Sequence, residues 1–456
     1  MIRPRRPRWP DITYSPCADD SGPRVLGINP WVYDFAAYNL WSRPAGLLVC
    51  LDMLARCGAR TALLDLMDRT WQDQPWPQPT HTGTGRYPRT KLPSPGVLAD
   101  VPRRYSRYGL DRERAAAALA RISPPPDLIL ITSTMTYWYP GIVSVLNLVR
   151  RIWPGVPVCL GGIYVTLCPE HAITLDADLL ISGPLEDPEN WRAVWGLLGS
   201  SVPDIPEGGG LELDSSLYPA PEYSIILGSR GCPFGCSYCA SHKLYPGFKQ
   251  ADPDTVFEHI QREYSRGVRD FAFYDDALLY RSEFMIIPLL EKILSRGLQL
   301  RLHTPNALHI RYLSRELCSL LYRAGLYTVR LGLETNVFGS RLDNKLERIE
   351  WEECMRNLAR AGFDPGNIAA YILFGLPGQD YQALEETIKE VHAWGIRPEL
   401  AHYSPIPGTK LFEQAKAHAW LDLEDPLAHN SSVWPCVPGG FSWEKRDKWR
   451  RIISGY

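Results

Sequence analysis

Residues 231–239 read GCPFGCSYC, which places three cysteines, Cys232, Cys236 and Cys239, in nine positions. Their spacing is C-x3-C-x2-C, and the loop directly follows an apolar run that is typical of a strand. Three soft thiolates on one short loop suit an iron–sulfur cluster or zinc. His242 comes three residues after Cys239, so a Cys3His zinc site is the alternative to a cluster.

Two features of the loop favour the cluster. Gly231 and Gly235 allow the backbone to wrap closely around a large inorganic group. Three cysteines would hold three corners of a 4Fe–4S cube and leave the fourth iron without a protein ligand. The loop therefore predicts a metal centre with one coordination site open to an exogenous ligand.

The composition of the chain excludes several classes of protein. Its 456 residues include 49 basic and 51 acidic side chains, a net charge of −2, so we expect no nucleic-acid partner. We find neither an apolar run long enough to span a bilayer nor the apolar middle of a signal peptide. Most cysteines outside the loop are isolated in apolar surroundings, as free thiols are in a reducing compartment. We therefore expect a cytoplasmic protein without a transmembrane segment.

Apolar runs alternate with amphipathic stretches, which predicts a parallel α/β fold. The first half predicts a doubly wound, Rossmann- or flavodoxin-like domain over 23–203, with its ligand at the C-terminal strand ends. A Pro/Gly/Thr-rich insertion at 69–110 is expected to be a lid or partner loop. The runs expected as strands are 24–30, 62–68, 127–133, 156–162 and 177–183.

The second half repeats the alternation after a linker at 204–221. Six βα units over 222–419 predict a partial (βα)6, TIM-like barrel, with polar residues collected at the C-terminal strand ends. Residues 1–22 are expected to be a flexible tail, and 420–456 a C-terminal extension that covers an opening. The runs expected as strands are 224–229, 270–276, 299–306, 328–334, 367–378 and 399–408.

With the cysteine loop placed after the first strand of this barrel, residues 222 to about 415 resemble the radical S-adenosylmethionine (SAM) superfamily. That superfamily has the same cysteine spacing, with an aromatic residue, here Tyr238, before the third cysteine. The resemblance implies a 4Fe–4S cluster on Cys232, Cys236 and Cys239 whose free iron binds SAM. It also implies reductive cleavage of SAM to a 5′-deoxyadenosyl radical, with a reductant of the flavodoxin or ferredoxin type.

Glu334, at the end of LGLE, corresponds in the superfamily to the residue that holds the ribose hydroxyls of SAM. A carboxylate accepts two such hydrogen bonds well, and a salt bridge to Arg330 or Lys345 is the other interpretation. Arg341 and Lys345 themselves are expected on a solvated helix face.

Other positions also match the superfamily. The segment ILFGLPGQ, with Gly375 and Gly378, resembles the one that packs on the adenine and methionine moieties. Asp276 and Asn306 end the second and third strands of the barrel. Each is a candidate contact to SAM or substrate, or else a turn or cap residue.

The first half resembles the cobalamin-binding domain of one class of these enzymes. Gly161 and Gly162 match the third part of that domain's signature, where missing side chains let the nucleotide tail approach the backbone. Ser133 matches the second part. The first part, DxHxxG, is absent, and no histidine precedes His81. The resemblance implies cobalamin as a third cofactor.

Together these resemblances predict a cobalamin-dependent radical SAM enzyme that methylates an unactivated carbon. The alternatives are cyclisation or rearrangement, a radical SAM enzyme that acts without cobalamin, and a non-enzymatic zinc or iron–sulfur adaptor. The 15 Trp and 23 Tyr residues favour a small-molecule or lipid-like substrate.

Overall fold

The computed structural model describes residues 12–15, 21–69, 71, 76–219, 221–343 and 345–455. It divides into two compact units, Met1–Gly96 with Arg103–Glu222, and Val97–Pro102 with Tyr223–Tyr456. Most of the tail expected at 1–22, and residues 70 and 72–75 of the expected insertion, lie outside the described residues. In the part of the chain that is described, no helix has both the length and the apolar character needed to cross a membrane.

The first unit is built on a parallel sheet with the strand order β10-β9-β8-β1-β4. Numbered along the chain, these five strands have the flavodoxin-like order 2-1-3-4-5, which confirms the predicted doubly wound fold. The strands of the unit are β1 (Arg24–Asn29), β2 (Val32–Asp34), β3 (Tyr38–Asn39), β4 (Arg60–Asp65), β5 (Gly85–Arg86), β6 (Arg89–Lys91), β7 (Ser106–Tyr108), β8 (Leu128–Ile131), β9 (Val158–Gly161) and β10 (Leu179–Ile181).

Helices cover this sheet with their apolar faces. On α3 the buried side chains Ile142, Val145 and Val149 recur at helical spacing, so one stripe faces the core. The Asp111 side chain accepts hydrogen bonds from two backbone N–H groups and thereby caps α2. The helices are α1 (Ala45–Arg56), α2 (Arg112–Ala120), α3 (Tyr139–Ile152), α4 (Ile163–Leu167), α5 (Pro169–Ala172) and α6 (Pro188–Leu197).

The described part of the predicted insertion folds back onto the segment that follows β1. Strands β6 and β7 form an antiparallel sheet with β2, and β5 pairs with β3. Residues 85–108 are therefore attached by backbone hydrogen bonds to the loop at the C-terminal end of β1.

The second unit contains six parallel strands in the order β11-β14-β15-β16-β17-β18. Because β11 and β18 are the two edges of this open sheet, the predicted partial barrel is confirmed. A short antiparallel hairpin, β12–β13, flanks the cysteine loop. The strands are β11 (Ser224–Ile226), β12 (Ser229–Arg230), β13 (Lys249–Gln250), β14 (Asp270–Phe273), β15 (Arg301–His303), β16 (Leu326–Glu334), β17 (Ile368–Phe374) and β18 (Arg397–His402).

Helices pack on this sheet, and the last of them lies in the C-terminal extension. Trp434 and Trp449 of the extension contact Phe374 with ring centroids 4.9 and 5.5 Å apart, and Trp434 stacks on His402. The extension therefore packs against β17 and the end of β18. The helices are α7 (Ser241–Leu244), α8 (Pro253–Ser265), α9 (Ile286–Ser295), α10 (Arg315–Arg323), α11 (Arg348–Ala361), α12 (Tyr381–Ala393), α13 (Lys410–His418) and α14 (Trp443–Ser454).

The buried carboxyl of Asp275 joins the start of the cysteine-loop region to the end of β14. It accepts hydrogen bonds from the Ser229 hydroxyl at 2.6 Å and from the Gly228 N–H at 3.2 Å. Burial raises the pKa of Asp275 to about 7, although both hydrogen bonds oppose the shift. The ionised form of Asp275 is therefore penalised by folding.

This penalty predicts a pH dependence of stability. It is absent below the unfolded pKa of 3.8, grows as the pH rises towards about 7, and is constant above that value. Its full size is on the order of 4 kcal/mol. The Asp275→Asn variant should therefore gain stability relative to wild type between about pH 5 and pH 8, measured as the difference in Tm. Asp447→Asn, at an exposed position on α14, is the control, and an equal response of both variants would contradict the prediction.

Candidate functional site

A cavity of about 270 Å³ in the second unit brings most of the predicted site residues together. It lies at the C-terminal ends of the strands, where barrel enzymes place their chemistry. Side chains that the sequence did not single out, Phe234, Ser241, His309 and Tyr371, also line it. The predicted residues on its wall are Cys232, Cys236, Tyr238, Cys239, Asp276, Asn306 and Glu334.

The three thiols share this wall because the cysteine loop turns tightly. The Cys239 N–H donates to the Cys236 carbonyl at 3.2 Å. The N–H and hydroxyl of Ser241 lie 3.5 and 3.3 Å from the Cys239 sulfur. Burial raises the pKa of Cys232 to about 11 and also raises that of Cys236. Both are thus protonated thiols without a ligand, and metal binding must release their protons.

Glu334 lies opposite the loop, in a strained conformation. Its φ of 63° is in the left-handed region, which is costly for a residue with a Cβ. The Tyr238 hydroxyl donates a short hydrogen bond to its Oε1. Burial and the nearby Asp343 raise the pKa of Glu334 to about 7, while Lys345, Tyr238 and Arg341 act in the opposite direction. The Glu334 carboxylate is therefore a hydrogen-bond acceptor that gains its negative charge as the pH rises through about 7.

Arg341 holds the turn that follows Glu334, so its expected place on a solvated helix face is wrong. Its side chain is 1% exposed and makes a bidentate pair with Asp343 at 2.9 and 2.8 Å. It also donates to the carbonyls of Leu333 and Thr335. Because Arg341 binds the backbone on both sides of Glu334, it fixes the strained conformation.

Lys345 also precedes α11 rather than lying on a helix face, and it lines the cavity. Its Nζ lies over the Phe234 ring, 5.3 Å from the ring centroid. Although its burial acts the other way, Cys236 and Glu334 raise the pKa of Lys345, so the side chain is an ammonium ion. A positive charge therefore lies among the thiols and carboxylates of the site.

Asp276 and Asn306 line the cavity and also have structural partners. Burial raises the pKa of Asp276, against the effects of Ser241 and Lys345. The Asn306 amide donates to the carbonyls of Tyr274 and Asp275 at 2.9 and 3.3 Å. Asn306 therefore has the role of a turn residue, and contact of either side chain with SAM or substrate stays a prediction.

Gly375 and Gly378 are not on the cavity wall. Both have positive φ, 82° and 63°, in the turn after β17, which requires glycine. The Gln379 side chain closes this turn, because it accepts from the Gly375 N–H at 2.6 Å and donates to the Leu373 carbonyl at 2.7 Å.

The donor set of the cavity fits a cluster held by three cysteines. Each thiolate of a cluster binds a different iron, so the thiols need to share a wall rather than converge on one point. His242 is exposed on α7 and does not line the cavity. Among the described residues, no three His, Cys, Asp or Glu side chains are grouped so as to hold a metal ion.

A second cavity, of about 240 Å³, lies in the first unit. Its wall includes Asn29, which ends β1, the following Pro30, and residues 132–135, which follow β8. The strand order reverses between β1 and β8, and doubly wound sheets bind ligands at such a point. Trp31, Tyr38 and Trp138 give it an aromatic lining suited to a flat macrocycle. None of the described residues that line it is a histidine.

A buried charge network that the sequence analysis did not predict supports this cavity. Arg43, on the wall, pairs with Asp68 at 2.9 Å and lies 3.7 Å from both the Asp65 carboxylate and the Tyr218 ring centroid. Asp65 also accepts from the Asn29 amide at 2.7 Å. These contacts fix two polar lining residues, Asn29 at the end of β1 and Arg43 in the loop before α1.

Ser133 and the Gly161-Gly162 pair contact each other. The Ser133 hydroxyl donates to the Gly161 carbonyl at 2.9 Å and accepts from the Tyr164 N–H at 3.0 Å. A Cβ on Gly162 would lie 2.5 Å from the Ser133 carbonyl oxygen, and its φ is 98°. A Cβ on Gly161 would meet nothing closer than 3.7 Å. Only Gly162 is therefore required by the protein's own packing.

In the second unit, residues 226–391 match the family model described as the Radical SAM superfamily. The anaerobic magnesium-protoporphyrin IX monomethyl ester cyclase of Cereibacter sphaeroides is 30% identical over 198 residues, 41% of this chain and 31% of the cyclase. The chain thus matches about a third of that relative's length. Bacteriochlorophyllide d C-12(1)-methyltransferase of Chlorobaculum tepidum is 24% identical over 66% of this chain and 64% of its own.

Among solved structures, the radical S-adenosylmethionine methyltransferase TsrM from Kitasatospora setae, with cobalamin and a [4Fe-4S] cluster bound, matches with a TM-score of 0.63. The match covers 87% of this chain and 78% of that chain at 16% sequence identity. At this identity the likeness shows the fold alone, a doubly wound domain followed by a partial barrel.

The packing around Gly161 and Gly162 predicts that substitution by alanine affects stability differently at the two positions. Gly162→Ala forces a Cβ against the Ser133 backbone at a positive φ, which should cost about 1–3 kcal/mol. We expect its Tm to fall by several degrees, whereas Gly161→Ala should melt like wild type. Equal melting temperatures for the two variants would refute the packing role of Gly162.

Proposed function

We propose that the chain is a radical SAM enzyme that binds a 4Fe–4S cluster, SAM and cobalamin, because residues 226–391 match the Radical SAM superfamily model. Cys232, Cys236 and Cys239 would hold the cluster. The observation that carries this proposal is the cavity that these three thiols share with Glu334 and Lys345. When bound, the cluster supplies the electron that cleaves the sulfonium of SAM to a 5′-deoxyadenosyl radical.

The chain's own residues bind and orient in this proposal. Glu334 would accept hydrogen bonds from the ribose hydroxyls, because its carboxylate is held at the cavity wall by Tyr238 and by the turn that Arg341 fixes. The ammonium of Lys345 offsets the negative charge of the thiolates, which lowers the cost of placing them in a buried site.

Cobalamin would occupy the cavity of the first unit. Trp31, Tyr38 and Trp138 offer apolar surface to a flat ring, and Asn29 and Ser133 offer polar atoms to its side chains. Gly161, which leaves space beside the Ser133 turn, is the position where a nucleotide tail could approach the backbone. Since no described lining residue is a histidine, we propose that the cofactor binds without an imidazole from this wall.

The reaction we propose is methylation of an unactivated carbon of a small-molecule substrate. The similarity to a bacteriochlorophyllide methyltransferase over two-thirds of the chain supports it. The similarity to a cyclase favours ring formation as the second candidate. Transfer of an isotope label from the SAM methyl group to the product supports methylation, and a product without the label supports ring formation.

The central experiment measures 5′-deoxyadenosine after anaerobic reduction of the cluster-loaded protein with SAM. We expect wild type to form it and Cys232→Ala to form none, because one iron loses its ligand. Cys50→Ala, which removes a thiol of the first unit, is the control. A colourless protein with bound zinc, or undiminished product from Cys232→Ala, would overturn the proposal.

SAM affinity tests the role of Glu334. The Glu334→Gln variant keeps an acceptor oxygen but loses its charge, which should weaken binding about 5–30-fold. Because burial raises the pKa of Glu334 to about 7, wild-type binding should tighten between about pH 6 and pH 8. This dependence should vanish in the variant, as measured by equilibrium binding.

The matched control is Glu399→Gln. Glu399 lies on β18, pairs with Arg330 and is not on the cavity wall. If both variants weaken SAM binding equally, Glu334 has no specific role in holding the ribose.

A further inference from the structure

The face of the second unit beside the cysteine loop combines aromatic contact with positive charge. We define the entry surface as residues 242–250, which include hairpin strand β13, together with loop 280–284. Three basic residues, Lys243, Lys249 and Arg281, are exposed on it, against one exposed acid, Glu283. The chain as a whole carries a net charge of −2, so this local excess is opposite in sign to the average.

Aromatic rings connect the entry surface to the cysteine loop. Phe248 packs edge-on against Tyr280 with centroids 5.0 Å apart, and Tyr280 meets Phe234 at 6.4 Å. Phe234 lies between Cys232 and Cys236 in sequence and lines the same cavity. Consecutive ring contacts therefore lead from the half-buried Phe248, between the exposed Gly247 and Lys249, to the wall that holds the thiols.

The surface is held in shape by a strained loop. Arg281 has a φ of 52°, a left-handed conformation that is costly for arginine. The Gln250 amide donates to the carbonyls of both Tyr280 and Arg281 at 3.2 Å. This contact fixes the loop on the hairpin and keeps Arg281 beside the Tyr280 ring, at 5.5 Å from its centroid. Phe284, three residues further on, is 63% exposed.

We propose that the entry surface is the docking site of an acidic protein that carries one electron, the reductant that the proposed function requires. Exposed basic side chains around an apolar anchor match the negative surface of such a carrier. Phe284 gives the interface an apolar centre. The electron passes from the carrier through the region of Phe248, Tyr280 and Phe234 to the cluster, so the carrier is oxidised and the cluster is reduced by one electron.

The test compares two reductants on the same cluster-loaded full chain. With a reduced, acidic flavodoxin as donor, the double variant Lys249→Glu/Arg281→Glu should slow cluster reduction about tenfold or more at low ionic strength. The difference should shrink as salt is added, because exposed charges are screened. With dithionite, a small donor that needs no docking, wild type and variant should be reduced at the same rate.

The control variant Lys389→Glu/Arg323→Glu makes the same charge change at exposed positions on α12 and α10. It should behave like wild type with both donors. Equal slowing of both variants by flavodoxin would show a general charge effect and overturn the docking site, as would reduction of the entry-surface variant at the wild-type rate.

Phe284→Ala tests the apolar anchor without changing charge. It should raise the flavodoxin concentration needed for half-maximal reduction rate and leave the dithionite rate unchanged. A chain that binds no reducible cluster would fail with both donors, which separates failure of the proposed function from failure of the docking proposal.

Discussion

The hydrogen bond from Tyr238 to Glu334 is the contact on which the cavity of the second unit depends. It joins the cysteine loop, which follows β11 and the short β12, to the end of β16, the fourth strand in the sheet order. Phe234 of the loop adds ring contacts to His309 and to the Lys345 ammonium, which also line the cavity. The bond also uses one oxygen of Glu334 and leaves the other near Arg341, at 3.7 Å.

Placing a carboxylate there creates an electrostatic problem that the neighbouring loop resolves. Buried charge is costly unless it is paired, and Glu334 lies beside a second acid, Asp343. Arg341 pairs with Asp343 and lowers its pKa against the effect of burial. Lys345 adds a second cation close to Cys236. Arg341 and Lys345 thus provide the compensating charge for both the acids and the thiols.

The fold could be predicted from the sequence because its signals are local. The parallel strands of both sheets appear as apolar runs between amphipathic stretches, and a right-handed βα alternation leaves few topologies. The cysteine loop could also be predicted from the sequence, because three cysteines at this spacing are recognised without any residue elsewhere in the chain. Asp276, Asn306 and Glu334 could be placed at the cavity because each ends a strand or follows one within three residues. Strand ends meet at one edge of a parallel sheet.

The residues that the sequence misplaced share a different property. Arg341 and Lys345 lie in a polar segment without apolar periodicity, so composition alone predicts a solvated surface. Their burial follows from the turn at Glu334, whose positive φ cannot be read from a non-glycine residue. Arg43 is a similar case, since its partners Asp65 and Asp68 are more than twenty residues away along the chain. Pairings of this kind are set by tertiary contact.

The cavities of the two units are built in the same way. In each, the cavity lies where parallel strands end, and a buried guanidinium stabilises the loops around it: Arg43 in the first unit and Arg341 in the second. A guanidinium suits this task because its planar fork can bind carboxylates and carbonyls together and stays charged when buried. Lysine in place of Arg341 could not donate to two backbone carbonyls while keeping a bidentate pair with Asp343. The strained turn at Glu334 therefore depends on the shape of the arginine side chain as well as on its charge.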